Sequence, residues 1–237
     1  MEYSTVFHES LMTMYQDHII DNRILFPGNA MVELGLAAGT RWMDDIPKAS
    51  NGYVELNGMR FLRPFEISLE SKMISEHTFG GGIVFREEVD DSVFATIDMI
   101  NIISSRMSDD SVGSSCLKEW QGEHVREVLG ITKRYDKLAE EGFHRGVFQS
   151  IQSAWLNEEQ TSALARVCLP TSHRHKHDTF YLIHPALLDG VFQLSRLMIN
   201  DDDGSMWVPS SIQRLIKHLP SSSFGKLQTW MKKCRRM

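Results

Sequence analysis

The sequence predicts an α+β protein in which antiparallel sheet wraps on a long helix. Three observations carry this prediction. A helical spacing of apolar residues opens after Pro27-Gly28, strand-like runs follow it, and a second junction of apolar run, proline and helix lies near residue 184.

The opening segment ends in Ile24-Leu25-Phe26 and is stopped by Pro27-Gly28. From Asn29, an N-cap candidate, Met31, Leu34, Ala38 and Trp42 recur at spacings of three and four, and Asp44-Asp45 with Pro47 mark the exit. Gly35 and Gly39 weaken such a helix in isolation by about 1 kcal/mol each relative to Ala, but let it approach a sheet closely. Strands are expected over 53–56, 59–67 around Pro64, 82–89 and 92–103. In the last, Val93, Ala95, Ile97 and Met99 point one way while Thr96 and Asp98 point the other.

Residues 104–116 are rich in Ser, Asp and Gly and read as a linker. A helical piece around 135–141 follows, then strands at 147–156 and 163–169. Phe180 to Ile183 then leads through His184-Pro185 into a helix bearing Leu187, Leu188, Val191, Phe192, Leu194, Leu197 and Met198. The two strand–proline–helix junctions share a grammar. That grammar fits an internal duplication, and it equally fits two unrelated turns.

Composition narrows the function. With 42% hydrophobic and 24% charged residues over 237 positions, the chain has the makings of a soluble core. A formal charge of -6 argues against a nucleic-acid binder. MEYSTVFHES lacks the basic flank of a secretory signal, and no run reaches the roughly 18 apolar residues of a membrane span. Cys116, Cys168 and Cys234 are scattered and odd in number, as expected of reduced thiols in the cytoplasm.

Two residues attract chemical interest. The first is His18: an unperturbed histidine has a pKa of about 6.5, suited to a general base, although a lone histidine is more often a core or surface residue. Asp189 falls in an apolar helical stretch with Gln193 four residues on, so the two share a face. Desolvation there would favour the protonated form that a general acid needs, whereas the polar side of the helix would leave the group in water. His173-Arg174-His175-Lys176-His177-Asp178 alternates histidines, but the interleaved cations suit a solvated loop better than a metal site. The cations Lys226, Lys232, Lys233, Arg235 and Arg236 suit a solvated tail better than a docking surface for an acidic carrier protein or membrane phosphates.

DHIIDNRILFPG resembles the first active-site motif of polyketide and fatty acid synthase dehydratase domains: histidine, three residues, glycine, four residues, proline. Here it runs from His18 to Pro27 with Asn22 in the glycine place, where an Asn tolerates left-handed angles. MVELGLAAG is similar to that family's central helix, and MRFLRPFEI fits between the motifs. HPALLDGVFQ, residues 184–193, is similar to the second motif, which supplies an Asp and an orienting Gln. The family's Tyr-Gly-Pro-x-Phe element has its nearest counterpart in His144-Arg145-Gly146-Val147-Phe148, where the Phe is kept. Its Leu-Pro-Phe-x-Trp element is matched only by Val208-Pro209-Ser210-Ser211-Ile212.

The resemblance implies a double hotdog fold, two curved antiparallel sheets each wrapped on a helix, with the active site in a tunnel between them. The first unit would span 1–103, a linker 104–133 and the second unit 134–220. The second would be incomplete, because the closing SSSFGKLQTWMKKCRRM does not resemble the family's last strands, and 221–237 would be the basic tail. The implied reaction is loss of water from a 3-hydroxyacyl thioester on the phosphopantetheine arm of an acyl carrier protein. His18 would be the base, Asp189 the acid, and Gln193, Pro27, Gly28 and His144 would position the substrate, with no metal and no resident cofactor. The implied partners are the carrier protein and other synthase domains, and a homodimer is compatible with the family. A non-catalytic module binding an acyl chain or carrier, and an isomerase or cyclase using the same pair, are the alternatives.

Overall fold

The computed structural model describes residues 2–44, 53–103, 125–140, 145–159, 162–169, 181–197, 210–218 and 226–232. The first sheet contains β1 (Glu2–Val6), β4 (Tyr53–Phe61), β5 (Lys72–His77), β6 (Ile83–Glu87), β7 (Val93–Ile103) and β11 (Ser211–His218), in the order β1-β5-β6-β7-β4-β11, every pairing antiparallel. A short helix α1 (Glu9–Tyr15) and a two-stranded hairpin of β2 (Ile19–Ile20) and β3 (Arg23–Ile24) lead into the long helix α2 (Gly28–Asp44). The second sheet, in the order β12-β10-β9-β8, consists of β8 (Val125–Glu127), β9 (Ile151–Asn157), β10 (Ser162–Cys168) and β12 (Lys226–Lys232). Helix α3 (Ile131–Glu140) lies between β8 and β9 in the chain, and helix α4 (Pro185–Leu197) packs on β9, β10 and β12.

Helix α2 lies on β4 and β7 because its glycines make room. A Cβ on Gly35 would meet Ile97 Cδ1 at 2.5 Å, and one on Gly39 would meet Val54 Cγ1 at 2.5 Å. Close approach to the sheet therefore compensates for the weak helix propensity of these glycines. Behind this layer Phe7, Phe26, Phe65 and Phe94 form an aromatic cluster, with Phe65 and Phe94 stacked at 4.5 Å. The helices α2 and α4 also touch each other, and that contact joins the two sheets.

Several expectations change in detail. The alternation predicted for β7 holds at Ala95 and Ile97 and then reverses. Met99 is 45% exposed and Ile100 is buried. The reversal lies where Gly58, at φ +64°, stands opposite Asp98, so the buried cross-strand pairs are Met59 with Ile97 and Leu56 with Ile100. A glycine in a left-handed conformation shifts the phase of a strand at low steric cost. The strand expected to run to residue 67 ends at Phe61, short of Pro64, which has no N–H for a ladder. Residues 181–183 form no strand, because two of their amides bond elsewhere, as described below.

The expected linker 104–133 holds β8 and the start of α3 within its described part, 125–133. Strand β11, expected in the second unit, returns to the first sheet and pairs with β4, Leu215 opposite Leu56. The segment expected to be a solvated tail contains β12, which covers the edge of β10 with Ser162 opposite Lys232 and Cys168 opposite Lys226. Its terminal lysines suggested a tail, but Leu227, Thr229 and Met231 alternate as a strand does. Without it, β10 would present a row of unpaired backbone groups.

Replacing Gly39 by Val should cost about 1–3 kcal/mol of stability through overpacking against Val54 and Ile100, despite the gain in intrinsic helix propensity. Urea unfolding of the variant beside the unmodified protein measures this.

Candidate functional site

His18 is held by the hairpin that follows it. The two-residue loop Asp21-Asn22 has both φ values positive, 53° and 58°, the geometry of a type I′ turn, so Asn22 does take a left-handed conformation. The turn brings Leu25 back alongside His18. The Leu25 N–H donates to the His18 carbonyl at 3.2 Å, and His18 Nδ1 lies 2.8 Å from the Leu25 carbonyl. A carbonyl only accepts, so Nδ1 carries the proton. In the neutral ring Nε2 is then the basic nitrogen. The imidazole meets the Phe148 ring edge-on at 5.0 Å.

Asp189 comes from the second half, on α4. Its Oδ1 lies 3.9 Å from His18 Nε2, and each residue is only 5% exposed, so the pair faces across the junction with little water between. The Gln193 amide donates to Asp189 Oδ2 and, at 2.9 Å, to the Phe148 carbonyl. The Tyr135 hydroxyl orients that amide. It accepts from the Ile151 N–H at 3.1 Å and donates to Gln193 Oε1 at 2.6 Å. Burial pushes the Tyr135 hydroxyl above its ordinary 10.0, so it stays a donor at neutral pH. On the other side Asn29 Nδ2 donates to Asp189 Oδ1 at 2.5 Å. Asn29 Oδ1 is buried and has no hydrogen-bond partner among the described residues. The amide can serve Asp189 in both of its states: Nδ2 donates to a carboxylate, and Oδ1, with the amide turned over, accepts from a carboxylic acid.

The 3-10 turn Gly146–Phe148 ties the hairpin to the second half. The Arg145 N–H donates to the Asp17 carbonyl at 2.9 Å and the Val147 N–H to Asp17 Oδ2 at 3.4 Å. Gly146 sits at φ +51°, and a Cβ there would lie 2.0 Å from Asp17 Oδ2. The neighbour of His18 thus grips the same turn whose Phe148 touches His18 and Gln193.

Of the residues expected from the sequence, His18, Asp189 and Gln193 come together. Pro27 and Gly28 begin α2 beside them. The Ala30 N–H donates to the Pro27 carbonyl at 3.0 Å, and the Phe61 ring packs on Gly28, where a Cβ would come within 2.8 Å. Asn29, expected as an N-cap, lies inside α2, and its side chain goes to Asp189. His144 lies outside the described residues, as does the run 173–178. Sequence reasoning passed over Tyr135 and the site role of Asn29. Tyr135 was visible only as part of a helical stretch, and nothing in its spacing tied it to a glutamine 58 positions on. No helix among the described residues is long and apolar enough to cross a membrane.

Two antiparallel sheets, each wrapped on a helix and joined through those helices, make a double hotdog. The dehydratase domain from the CurF module of curacin polyketide synthase shares this fold at TM-score 0.80 and 17% identity, over 100% of this chain and 83% of that one. Two inactive mutants of the CurK dehydratase share it as well. One, with a histidine replaced by phenylalanine, matches at TM-score 0.73 and 18% identity, over 98% of this chain and 80% of that one. The other, with an aspartate replaced by asparagine, matches at 0.70 and 19%, over 97% and 78%. Erythronolide synthase EryA2 of Saccharopolyspora erythraea is 24% identical over 212 residues, 85% of this chain but 5% of that protein's length. The family description "Polyketide synthase dehydratase N-terminal domain" matches residues 115–232, which contain Tyr135, Phe148, Asp189 and Gln193. The chain belongs to the polyketide synthase dehydratase family.

Asn22→Val should cost about 1–2 kcal/mol, because a β-branched residue resists positive φ, whereas Asn22→Gly should be tolerated. Thermal unfolding of the two variants separates these outcomes. Tyr135→Phe leaves the Ile151 N–H buried without its acceptor and the Gln193 amide without its guide. It should cost about 1–3 kcal/mol in denaturant unfolding.

Proposed function

We propose that this domain removes water from a 3-hydroxyacyl thioester carried on the phosphopantetheine arm of an acyl carrier protein, leaving a 2,3-unsaturated thioester. The observation that carries the reading is the buried His18–Asp189 pair, with Nε2 of His18 made the basic nitrogen by the Leu25 carbonyl. His18 takes a proton from C2, whose acidity the thioester carbonyl raises. Asp189, protonated before the step, gives its proton to the 3-hydroxyl as the C3–O bond breaks and water departs. Gln193 and Asn29 hold the carboxyl through both states. A backbone N–H near Gly28, at the start of α2, would polarise the thioester carbonyl. Two proton transfers balance the reaction, so the step calls on no metal or redox cofactor.

Support comes from the family and from the inactive CurK mutants, whose changed residues are a histidine and an aspartate, the two types that face each other here. The carrier protein and neighbouring synthase domains are the partners this reading requires. Incubation with a 3-hydroxyacyl carrier protein, followed by mass spectrometry, should show loss of one water. His18→Ala and Asp189→Asn should each lower the rate by about 10²–10⁴-fold while leaving the fold intact. Binding without turnover by the unmodified protein would overturn the reading in favour of a non-catalytic acyl or carrier module.

A further inference from the structure

Glu33 stands on α2 one turn beyond Asn29, 4% exposed, and takes no part in the proposed chemistry. Its carboxylate reaches into the other half and accepts two consecutive backbone amides, Leu182 N–H on Oε1 at 2.6 Å and Ile183 N–H on Oε2 at 3.0 Å. These are the amides that keep 181–183 out of any sheet. The next residue, His184, starts α4: its carbonyl accepts the Leu187 N–H at 2.9 Å and its Nδ1 accepts the Ala186 N–H at 3.2 Å. Asp189 follows on the same helix, one turn further on. Among the described residues, the groups that act on Glu33 from the surrounding elements include Tyr15 of α1 and Lys217 of β11; Tyr15 in turn pairs with Tyr181, whose ring meets His184 at 5.2 Å.

We propose that Glu33 is a positioning residue for Asp189: by holding the amides of Leu182 and Ile183 with its two oxygens, it sets the start of α4 and so the distance between acid and base. The proposal rests on the dehydratase reading above. A backbone loop can be anchored by neutral acceptors, and a buried carboxylate is a costly choice for that purpose alone. Burial pushes Glu33 up from 4.5 to about 7, even though both amides and Lys217 pull it down. The sign follows from linkage: proton uptake favours the folded state, so this group's contribution to stability is full below about 4.5 and is lost as the pH rises through about 7. The charged clamp therefore forms at some expense of stability. When Glu33 binds a proton, one of its oxygens becomes a hydroxyl, a poorer acceptor, and the amide bond to that oxygen weakens.

Three measurements on Glu33→Gln test this, two of them independent of activity. Amide exchange at Leu182 and Ile183, read by NMR as protection factors, should weaken in the unmodified protein as the pH falls through about 7. In Glu33→Gln it should be low and no longer vary with pH, with the remaining amides unchanged. With a 3-hydroxyacyl carrier protein at pH 8, the variant should lose on the order of 10- to 100-fold in kcat with KM nearly unchanged, the signature of a displaced catalytic group. Its activity profile should also lack the ionisation near 7. Denaturant unfolding should show the variant's stability varying less between pH 4.5 and 7 than that of the unmodified protein, which keeps the test open even if activity is too low to follow. Unmodified protection and kcat in Glu33→Gln overturn the clamp. Clamped amides in a protein that shows no turnover overturn the dehydratase reading, and the positioning role falls with it.

Discussion

An imidazole and a carboxyl group 3.9 Å apart, each almost wholly removed from water, impose the constraint on which the rest of the structure depends. A buried polar atom without a partner costs free energy that a domain of ordinary stability can ill spare. Nearly every local feature near the site can be traced to this. The Asp21-Asn22 turn exists to return the Leu25 carbonyl to His18, and it selects the ring nitrogen that is left basic. The carboxyl is bracketed by two amides, one from each half, and a buried tyrosine orients one of them.

Because His18 and Asp189 come from different halves, their spacing is only as well set as the joint between α2 and α4. Side-chain hydrogen bonds cross that joint near His18 and Asp189. Asn29 reaches Asp189, Glu33 holds the amides before α4, and Asp17 grips the turn that carries Phe148. Glycine is required at two of the close approaches. Gly146 admits the Asp17 carboxylate, and Gly190 passes Ser150 Oγ and Val167, either of which a Cβ would strike at about 2.5 Å. The return of β11 to the first sheet reinforces the joint, since the chain crosses back after completing α4.

Much of this was legible in the sequence, for reasons that are local. The spacing of Met31, Leu34 and Ala38, the stop at Pro27-Gly28 and the short-range chemistry of the two motifs depend on residues within a turn or two of one another. Those features placed α2, α4, His18, Asp189 and Gln193. Errors came where a strand's role depends on a distant partner. Strand β12 looked like a charged tail because its partner, β10, lies some 60 positions earlier, and the reversal in β7 depended on Gly58 in another strand.

The sequence by itself determined the family, the two helices and the motifs that carry His18 and Asp189, because these follow from periodicity, turn chemistry and motif spacing along the chain. Tertiary structure alone decided which nitrogen of His18 is basic, that Asn29 serves Asp189 instead of capping a helix, and that Tyr135 and Glu33 attend the site. Each of those outcomes is a hydrogen bond between groups brought together by packing. Such bonds leave no trace in sequence spacing, since burial chooses the partner only after the sheets and helices have met.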